Sequence, residues 1–182
     1  MLRLPTCSSL FRLALFGLAS VTFASNAHAT TVRVAPADTT VSIGDNVTLR
    51  VMIDDASSLK GYQLIYKYGP VLQYRGSTAG DMLTGSGSPY VVLDTPDHTA
   101  PADTAGADCA QLLTSTHGPG VMLYFRFKAQ AEGNSLITCQ RIDMRDEFNN
   151  PVPASCVGGI VRVLGPVPTR RSTWGRVKSA YR

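Results

Sequence analysis

Hydrophobic and polar residues alternate along most of this chain in short runs. Every second residue is valine, leucine or isoleucine in residues 46–53, tyrosine or leucine in 61–68, and hydrophobic in 121–129. An alternation with a period of two places one set of side chains on each face of a β-strand. Glycine, proline, aspartate and asparagine separate the runs, as is typical of turns. The pattern predicts strands joined by turns and no long helix.

The same pattern extends to other parts of the chain. The predicted strands are 31–35, 46–53, 61–68, 71–75, 121–129, 136–144 and 157–164, with weaker segments at 90–93 and 107–113. Six or more short strands with turns between them indicate an all-β sandwich or barrel. Residues 78–119 are rich in Gly, Ser, Thr, Asp and Pro, so we expect long loops there. Such loops either carry a variable binding surface or are solvated connections.

The first 29 residues have the features of a signal peptide. Arg3 and Arg12 give a positive start, an apolar run covers 13–23, and Ala27-His28-Ala29 offers a small-x-small cleavage pattern. The apolar run is shorter than the roughly 20 residues that a membrane crossing needs. We therefore expect no membrane span and a secreted or cell-surface protein of the bacterial type. The division is 1–29 signal peptide, 30–165 domain and 166–182 tail.

Charge is distributed unevenly between the domain and the tail. The whole sequence has a formal net charge of +4. Residues 30–165 hold ten Lys and Arg against thirteen Asp and Glu, a net of −3, whereas residues 166–182 hold five cations and no acid. A mildly acidic domain argues against a nucleic acid partner.

Three cysteines remain after the signal peptide: Cys109, Cys139 and Cys156. An exported protein can keep a disulfide, and three cysteines allow one bridge. The strands at 136–144 and 153–164 flank one turn, and in such a hairpin Cys139 and Cys156 lie nearly opposite each other. We predict the bridge Cys139–Cys156 with Cys109 free; a Cys109–Cys139 bridge is the alternative.

Several segments, in this order, resemble those of a cohesin domain. They are Val41–Leu49, Leu59–Tyr68, Leu123–Gly133, Ile142–Pro153 and Gly158–Val163. The resemblance covers about Thr31 to Leu164. It implies an all-β, nine-stranded jelly-roll β-sandwich of the cohesin and cellulose-binding-module type.

The resemblance also implies a function. Cohesins bind dockerin modules across one sheet face, and polar residues of the strand that corresponds to 61–68 help recognise them. The matching candidate residues for partner binding are Gly61, Gln63, Ile65 and Lys67. The expectation is a secreted binding module that recruits a protein partner, dockerin-type or other, in an extracellular assembly linked to polysaccharide breakdown. A carbohydrate-binding module that contacts polysaccharide directly is the alternative, on fold kinship.

Residues for catalysis or for a cofactor are few. His98 and His117 fall in predicted loops, and no Gly-x-Ser-x-Gly elbow is present, so we expect a non-enzyme. We also expect no cofactor. Calcium is left open as an alternative because four neighbouring residues could offer oxygen ligands, although their spacing matches no known loop: Asp143, Asp146, Glu147 and Asn149.

The tail follows a proline-rich spacer and combines aromatic with basic residues. Trp174, Lys178 and Tyr181 would share one face of a helix, and Arg182 ends the chain. We predict that these four residues are recognised by an anionic envelope surface or an export partner. A frayed tail is the alternative, because isolated short helices are marginal in water.

Overall fold

The computed structural model describes residues 29–96, 103–166 and 178. The described chain forms eleven strands and one short helix. Their bounds are β1 Thr30–Ala35, β2 Asp38–Ser42, β3 Asn46–Ile53, β4 Gly61–Lys67, β5 Leu72–Ala79, α1 Asp81–Thr84, β6 Tyr90–Asp94, β7 Thr104–Gln111, β8 Gly120–Ala129, β9 Gly133–Arg145, β10 Ala154–Val157 and β11 Gly159–Leu164.

The strands form two sheets that pack against each other as a β-sandwich. The five-stranded sheet has the order β10-β1-β3-β8-β5, and the six-stranded sheet has the order β2-β11-β9-β4-β7-β6. Strands β3 and β8 lie at the centre of the first sheet, and β9 and β4 lie at the centre of the second. The predicted all-β sandwich fold is therefore confirmed.

The core follows from the period-two alternation of the central strands. In β3 the buried residues are Val47, Leu49, Val51 and Ile53, and in β4 the inward side is mostly tyrosine. Tyr66 packs edge-on against Phe125 of β8 with ring centroids 5.9 Å apart. The tyrosine side of 61–68 packs inward, because each ring buries a large apolar area.

The number of strands differs from the predicted nine. The two additional strands, β2 and β10, are short edge strands that make parallel pairs with β11 and β1. Their sequences, DTTVS and ASCV, contain no fully buried position and no strong apolar alternation. Their partners lie more than 100 residues away in sequence. Pairing of this kind comes from the assembled sheet rather than from local sequence preference.

The region expected to be long loops is more ordered than its composition suggests. Between residues 78 and 119 lie helix α1 and strands β6 and β7. Strand β7 has the sequence TAGADCAQ, in which the small residues Ala105, Ala107 and Cys109 are the buried set. Small apolar residues give a weak periodic signal, and the two strands coincide largely with the weaker segments predicted at 90–93 and 107–113.

The bridge between Cys139 and Cys156 joins the two sheets. Cys139 lies in β9 of the six-stranded sheet and Cys156 in β10 of the five-stranded sheet, with their Cα atoms 6.3 Å apart. That separation lies in the normal range for a disulfide. The predicted pairing is present, and Cys109 is free and buried. The expected reason was wrong, because the two strands belong to different sheets rather than to one hairpin.

A glycine makes the crossing from β10 to β11 possible. A Cβ atom built on Gly158 would lie 1.9 Å from the carbonyl oxygen of Ile137 in β9. No side chain fits at that distance, so the chain can pass over β9 only with glycine at this position. The crossing carries the chain from one sheet to the other immediately after the disulfide.

The ends of the chain lie largely outside the described residues. The predicted signal peptide falls there almost entirely, as do three of the tail residues, Trp174, Tyr181 and Arg182. Lys178 is described and is exposed. In residues 29–96 and 103–166, no helix has the length and apolar character that a membrane crossing requires.

Two buried tyrosines differ in the hydrogen bonding of their hydroxyl groups. The Tyr62 hydroxyl donates to the carbonyl oxygen of Met122 at 2.8 Å. The Tyr66 hydroxyl is buried and has no hydrogen-bond partner within the described part of the chain. An unpaired buried hydroxyl costs stability, whereas a paired one contributes to it.

We expect Tyr66→Phe to raise the free energy of unfolding by about 1 kcal/mol, because it removes the unpaired hydroxyl and keeps the ring. Tyr62→Phe is the matched control and should lower that free energy by about 1 kcal/mol. Equilibrium denaturation of both variants measures the difference. Equal destabilisation by the two substitutions would contradict the assignment of an unpaired hydroxyl.

Loss of the disulfide should destabilise the sandwich. The bridge closes a segment of 17 residues, for which chain entropy predicts about 3 kcal/mol. Cys139→Ser with Cys156→Ser should lower the melting temperature, whereas Cys109→Ser should leave the oxidised bridge intact. Mass spectrometry of a non-reduced digest checks the pairing; a peptide that contains Cys109 linked to Cys139 would show that the pairing is wrong.

Candidate functional site

The candidate site is the outer face of the six-stranded sheet around β4. Strand β4 lies between β9 and β7, and β6 forms the edge next to β7. Since Tyr62, Leu64 and Tyr66 point into the core, the alternate residues of β4 point outward. These are the predicted partner-binding residues: Gly61, Gln63, Ile65 and Lys67.

Residues of the neighbouring strands continue the face in rows across the sheet. The first row is Arg145, Gly61, Ala110 and Val91, and the second is Asp143, Gln63, Asp108 and Leu93. In the third row Ile65 lies between Arg141 and Gly106, and in the fourth Lys67 lies between Thr138 and Thr104. The structure thus brings the four predicted residues together and surrounds them with residues from three other strands.

The acidic residues on this face have different environments. Asp143 accepts two hydrogen bonds from Arg145, from Nε at 2.9 Å and from Nη2 at 3.2 Å. A second cation, Arg141, lies 3.9 Å from Asp143. Asp108 is half-buried and has no ion pair or side-chain hydrogen bond with the residues that the structure describes. Asp108 is therefore available to a cation from outside the domain.

A shallow open depression of about 370 Å³ lies over the first two rows. It is lined by the small residues Gly61 and Ala110 and by the larger apolar residues Val91 and Leu93. Leu93 is 58% exposed and Val91 is 38% exposed, although both belong to a regular strand. The depression is apolar on the β6 side and charged on the β9 side.

Sequence reasoning found the β4 part of this face and missed the rest. Val91, Leu93 and Asp108 lie in the two weak strands predicted at 90–93 and 107–113, but none of them was assigned to the binding face. From the sequence, Asp143 was considered only as a calcium ligand, and Arg145 was not considered. The short hydrophobic run 90–93 was a signal for Val91 and Leu93, but the pairing of β6 with β7 is a property of the folded sheet.

Two of the four residues weighed for calcium, Asp143 and Asp146, have other partners in the structure. Asp143 is bonded to Arg145, as described above. Asp146 accepts hydrogen bonds from the backbone N–H groups of Phe148 and Asn150 and from the Asn150 side chain. Desolvation acts to raise the pKa of the Asp146 carboxyl, but these hydrogen bonds outweigh it and hold the pKa below its ordinary value. The turn is thus held by Asp146 itself. Within the described ranges no group of three or more His, Cys, Asp or Glu side chains is arranged to hold a metal ion.

The polar groups around His117 serve the fold. His117 is exposed and shares a small surface pocket with Asp81 and Ser86. The Asp81 carboxylate accepts a hydrogen bond from the Val121 N–H at 2.6 Å, and the Ser86 hydroxyl donates to the Leu83 carbonyl at 2.9 Å. A catalytic triad needs a nucleophile and a base joined by a hydrogen bond. In this pocket the hydroxyl and the carboxylate are bonded to the backbone instead.

Comparison with solved structures identifies the class of fold. A non-cellulosomal cohesin from the archaeon Archaeoglobus fulgidus superimposes with a TM-score of 0.60 at 19% identity, covering 75% of this chain and 92% of that one. A type II cohesin from the cellulosome of Acetivibrio cellulolyticus gives 0.59 at 18% identity, covering 74% and 95%. The type I cohesin–dockerin complex of Clostridium thermocellum gives 0.58 at 14% identity, covering 76% and 96%.

The described chain therefore has the fold of a cohesin domain, as the motif order predicted. No protein-family model matches the sequence, and no curated protein matches it.

Two buried ionisable groups lie under the depression. Tyr62 of β4 and Cys109 of β7 are partners in the strand register. Burial raises the pKa of the Cys109 thiol to about 12, and it raises the pKa of the Tyr62 hydroxyl well above its ordinary value. Both groups are therefore neutral in the folded protein well into the alkaline range.

We expect the free energy of unfolding to fall as the pH rises above 9.0, the ordinary pKa of the thiol. The folded protein keeps both protons, whereas the unfolded chain releases them at ordinary pKa values, so ionisation favours unfolding. Equilibrium denaturation at a series of pH values measures the decline. In Cys109→Ala the decline should begin about one pH unit higher, where tyrosine ionises. Identical pH curves for the two proteins would contradict this account.

Proposed function

We propose that this protein is a secreted, non-catalytic binding module that holds a partner polypeptide against the outer face of its six-stranded sheet. The supporting observation is the depression over β4, where an exposed leucine and valine lie beside the half-buried Asp108. Large apolar side chains held in a rigid strand and exposed to water favour an interface, because burying them against a partner releases that water. The similarity in fold to cohesins that are seen in complex with dockerins supports the same function.

The chemistry of the face specifies the kind of partner. An apolar side chain of the partner would lie on Ala110, between Gly61 and Val91. Leu93 of the next row would contact it from the side. A lysine or arginine beside it would pair with Asp108, which has no such pair within the described chain. On the other side of the depression, Asp143 and Arg145 are already paired with each other. This pair would orient the partner rather than add to the affinity. A helix with small apolar and basic residues on one face fits this arrangement, and a dockerin-type module is one such partner.

Photo-crosslinking can test where the partner binds. A photoreactive amino acid replaces Gln63 in one protein and Thr48, on the outer face of the other sheet, in a second. Each protein is irradiated with proteins secreted by the source organism and with purified type I and type II dockerin modules. We expect a crosslinked polypeptide from position 63 and none from position 48. Crosslinks from position 48 alone would overturn the proposed site.

Affinity measurements with the crosslinked partner then test the contact itself. Leu93→Asp should weaken binding about 30-fold, as expected for a central hot-spot residue. Leu164→Asp is the matched control, since Leu164 is 54% exposed at the far end of the same sheet, roughly 30 Å away along β9. Equal affinity of the Leu93→Asp variant and the unaltered protein would show that the depression is not the binding site.

A further inference from the structure

The two sheets of the sandwich carry very different charges. The five strands of the five-stranded sheet contain five cations and no Asp or Glu: Arg33, Arg50, Arg75, Arg126 and Lys128. The six strands of the other sheet contain four cations and four acids. The domain as a whole has a net charge of −3 from residue 30 to 165. The strands of the five-stranded sheet are therefore positively charged, although the domain as a whole is negatively charged.

Four of these cations form one continuous basic face. Arg126 and Lys128 point outward from β8, Arg50 from β3 and Arg75 from β5, and all four are exposed. Arg33 is different, because it lies towards β10 and is paired with Asp54 at 2.8 Å. The side chains of Arg50, Arg75, Arg126 and Lys128 have no ion pair or hydrogen bond within the described residues. We call these four residues the basic face.

Arg75 and Arg126 lie at a pocket on the basic face. The pocket has a volume of about 310 Å³ and is also lined by Asn46 and Thr48. The register of β5 against β8 shifts between Tyr74 and Gly76, so Arg75 is the additional residue of a bulge. Bulges redirect side chains at sheet edges. Here Arg75 reaches the same pocket as Arg126, which pairs with Thr48 across the strands.

The acid beside this edge, Asp94, is hydrogen-bonded to two hydroxyl groups of β5. The Asp94 carboxylate at the end of β6 accepts hydrogen bonds from the Tyr74 and Ser77 hydroxyls. It lies over Gly76 and forms no ion pair with Arg126. Asp94 thus closes the side of the sandwich between β5 and β6, and neither Arg75 nor Arg126 forms an ion pair with it among the described residues.

The spacing of the basic face suits a linear polymer. Successive outward residues on β8 lie roughly 6.6 Å apart, and neighbouring strands lie about 4.8 Å apart. Tyr124 continues the row on β8 beside Arg50, and Asn46 and Thr48 add neutral hydrogen-bonding groups. Arginine binds carboxylate and sulfate through two parallel hydrogen bonds. A ring of sugar with an acidic substituent offers hydroxyl groups and an anion together, which matches this mixture of side chains.

The lack of apolar anchors distinguishes this face from a protein-binding surface. Among the described residues, the exposed large hydrophobic side chains lie outside β3, β5 and β8. Protein interfaces depend on buried apolar and aromatic anchors, whereas the face over β4 has Leu93 and Val91. The two faces of the sandwich are therefore suited to different partners.

We propose that the basic face binds an acidic polysaccharide, with Arg75 and Arg126 pairing with its carboxylate or sulfate groups. The proposal does not depend on the protein-binding function of the opposite face. With both faces occupied, the domain would hold a polypeptide on one side and an anionic polymer on the other.

Binding to defined polymers tests the proposal with the full purified protein. The probes are polygalacturonate and dextran sulfate, each beside a neutral counterpart, fully methyl-esterified polygalacturonate and dextran. We expect binding to at least one acidic polymer and to neither neutral one, with affinity that falls as salt is added. Arg75→Gln with Arg126→Gln should weaken binding about tenfold or more, because two charge-assisted contacts are lost.

Lys60→Gln with Arg162→Gln is the matched control, since it removes the same charge from residues that lie outside the five-stranded sheet and outside the proposed partner-binding residues. The basic tail is the same in all these proteins, so its own attraction for polyanions cancels in the comparison. Equal losses in the two double variants would show non-specific charge attraction and overturn the proposal. Failure to bind either acidic polymer would also overturn it, as would equally tight, Arg75- and Arg126-dependent binding of poly-glutamate, which would indicate an acidic peptide instead. Thermal melting confirms that each variant is folded.

Discussion

The packing of alternate residues from β4 and β8 between the two sheets determines the rest of this structure. Tyr66 and Tyr68 of the β4 segment contact Phe125 and Phe127 of β8, with ring centroids 5.1–5.9 Å apart. Because the side-chain period of a strand is two, burial of these rings determines which residues of the two strands face water. The same constraint therefore sets Gln63 on one outer surface and Arg126 on the other. A shift of one residue in either strand would bury charge and expose the aromatic core.

That constraint also explains how much of the fold was accessible from the sequence. Strands with large apolar residues at alternate positions, such as 46–53 and 121–129, were predicted almost to the residue. Strands β2 and β10 were missed because their hydrogen bonds are made with partners at the opposite end of the chain. Strand β7 was only partly found, since alanine and cysteine form its buried side. The unrecognised elements are those in which tertiary pairing, rather than local pattern, supplies the stability.

The candidate site also has a part that the sequence predicts and a part that it does not. The outward residues of β4 follow from the alternation, so Gln63 and Ile65 could be assigned to one face before the structure was known. Their neighbours could not, because the adjacency of Asp108 and Asp143 to Gln63 depends on the strand order β9-β4-β7. The pairing of Cys139 with Cys156 was predicted correctly but for the wrong reason. The prediction assumed that both cysteines lie in one hairpin, whereas the bridge joins the two sheets.

A sandwich of this kind separates its two outer surfaces by the thickness of the core. Stacked sheets lie about 10 Å apart, and their outward side chains extend further, beyond the roughly 8 Å over which physiological salt screens exposed charges. The cations of one face therefore have little influence on a partner bound to the other. This insulation lets one sheet carry five cations without acids while the other presents an apolar depression beside Asp108. Ligands on the two faces should accordingly bind with independent affinities, because the rigid core between them offers no alternative packing that either ligand could select.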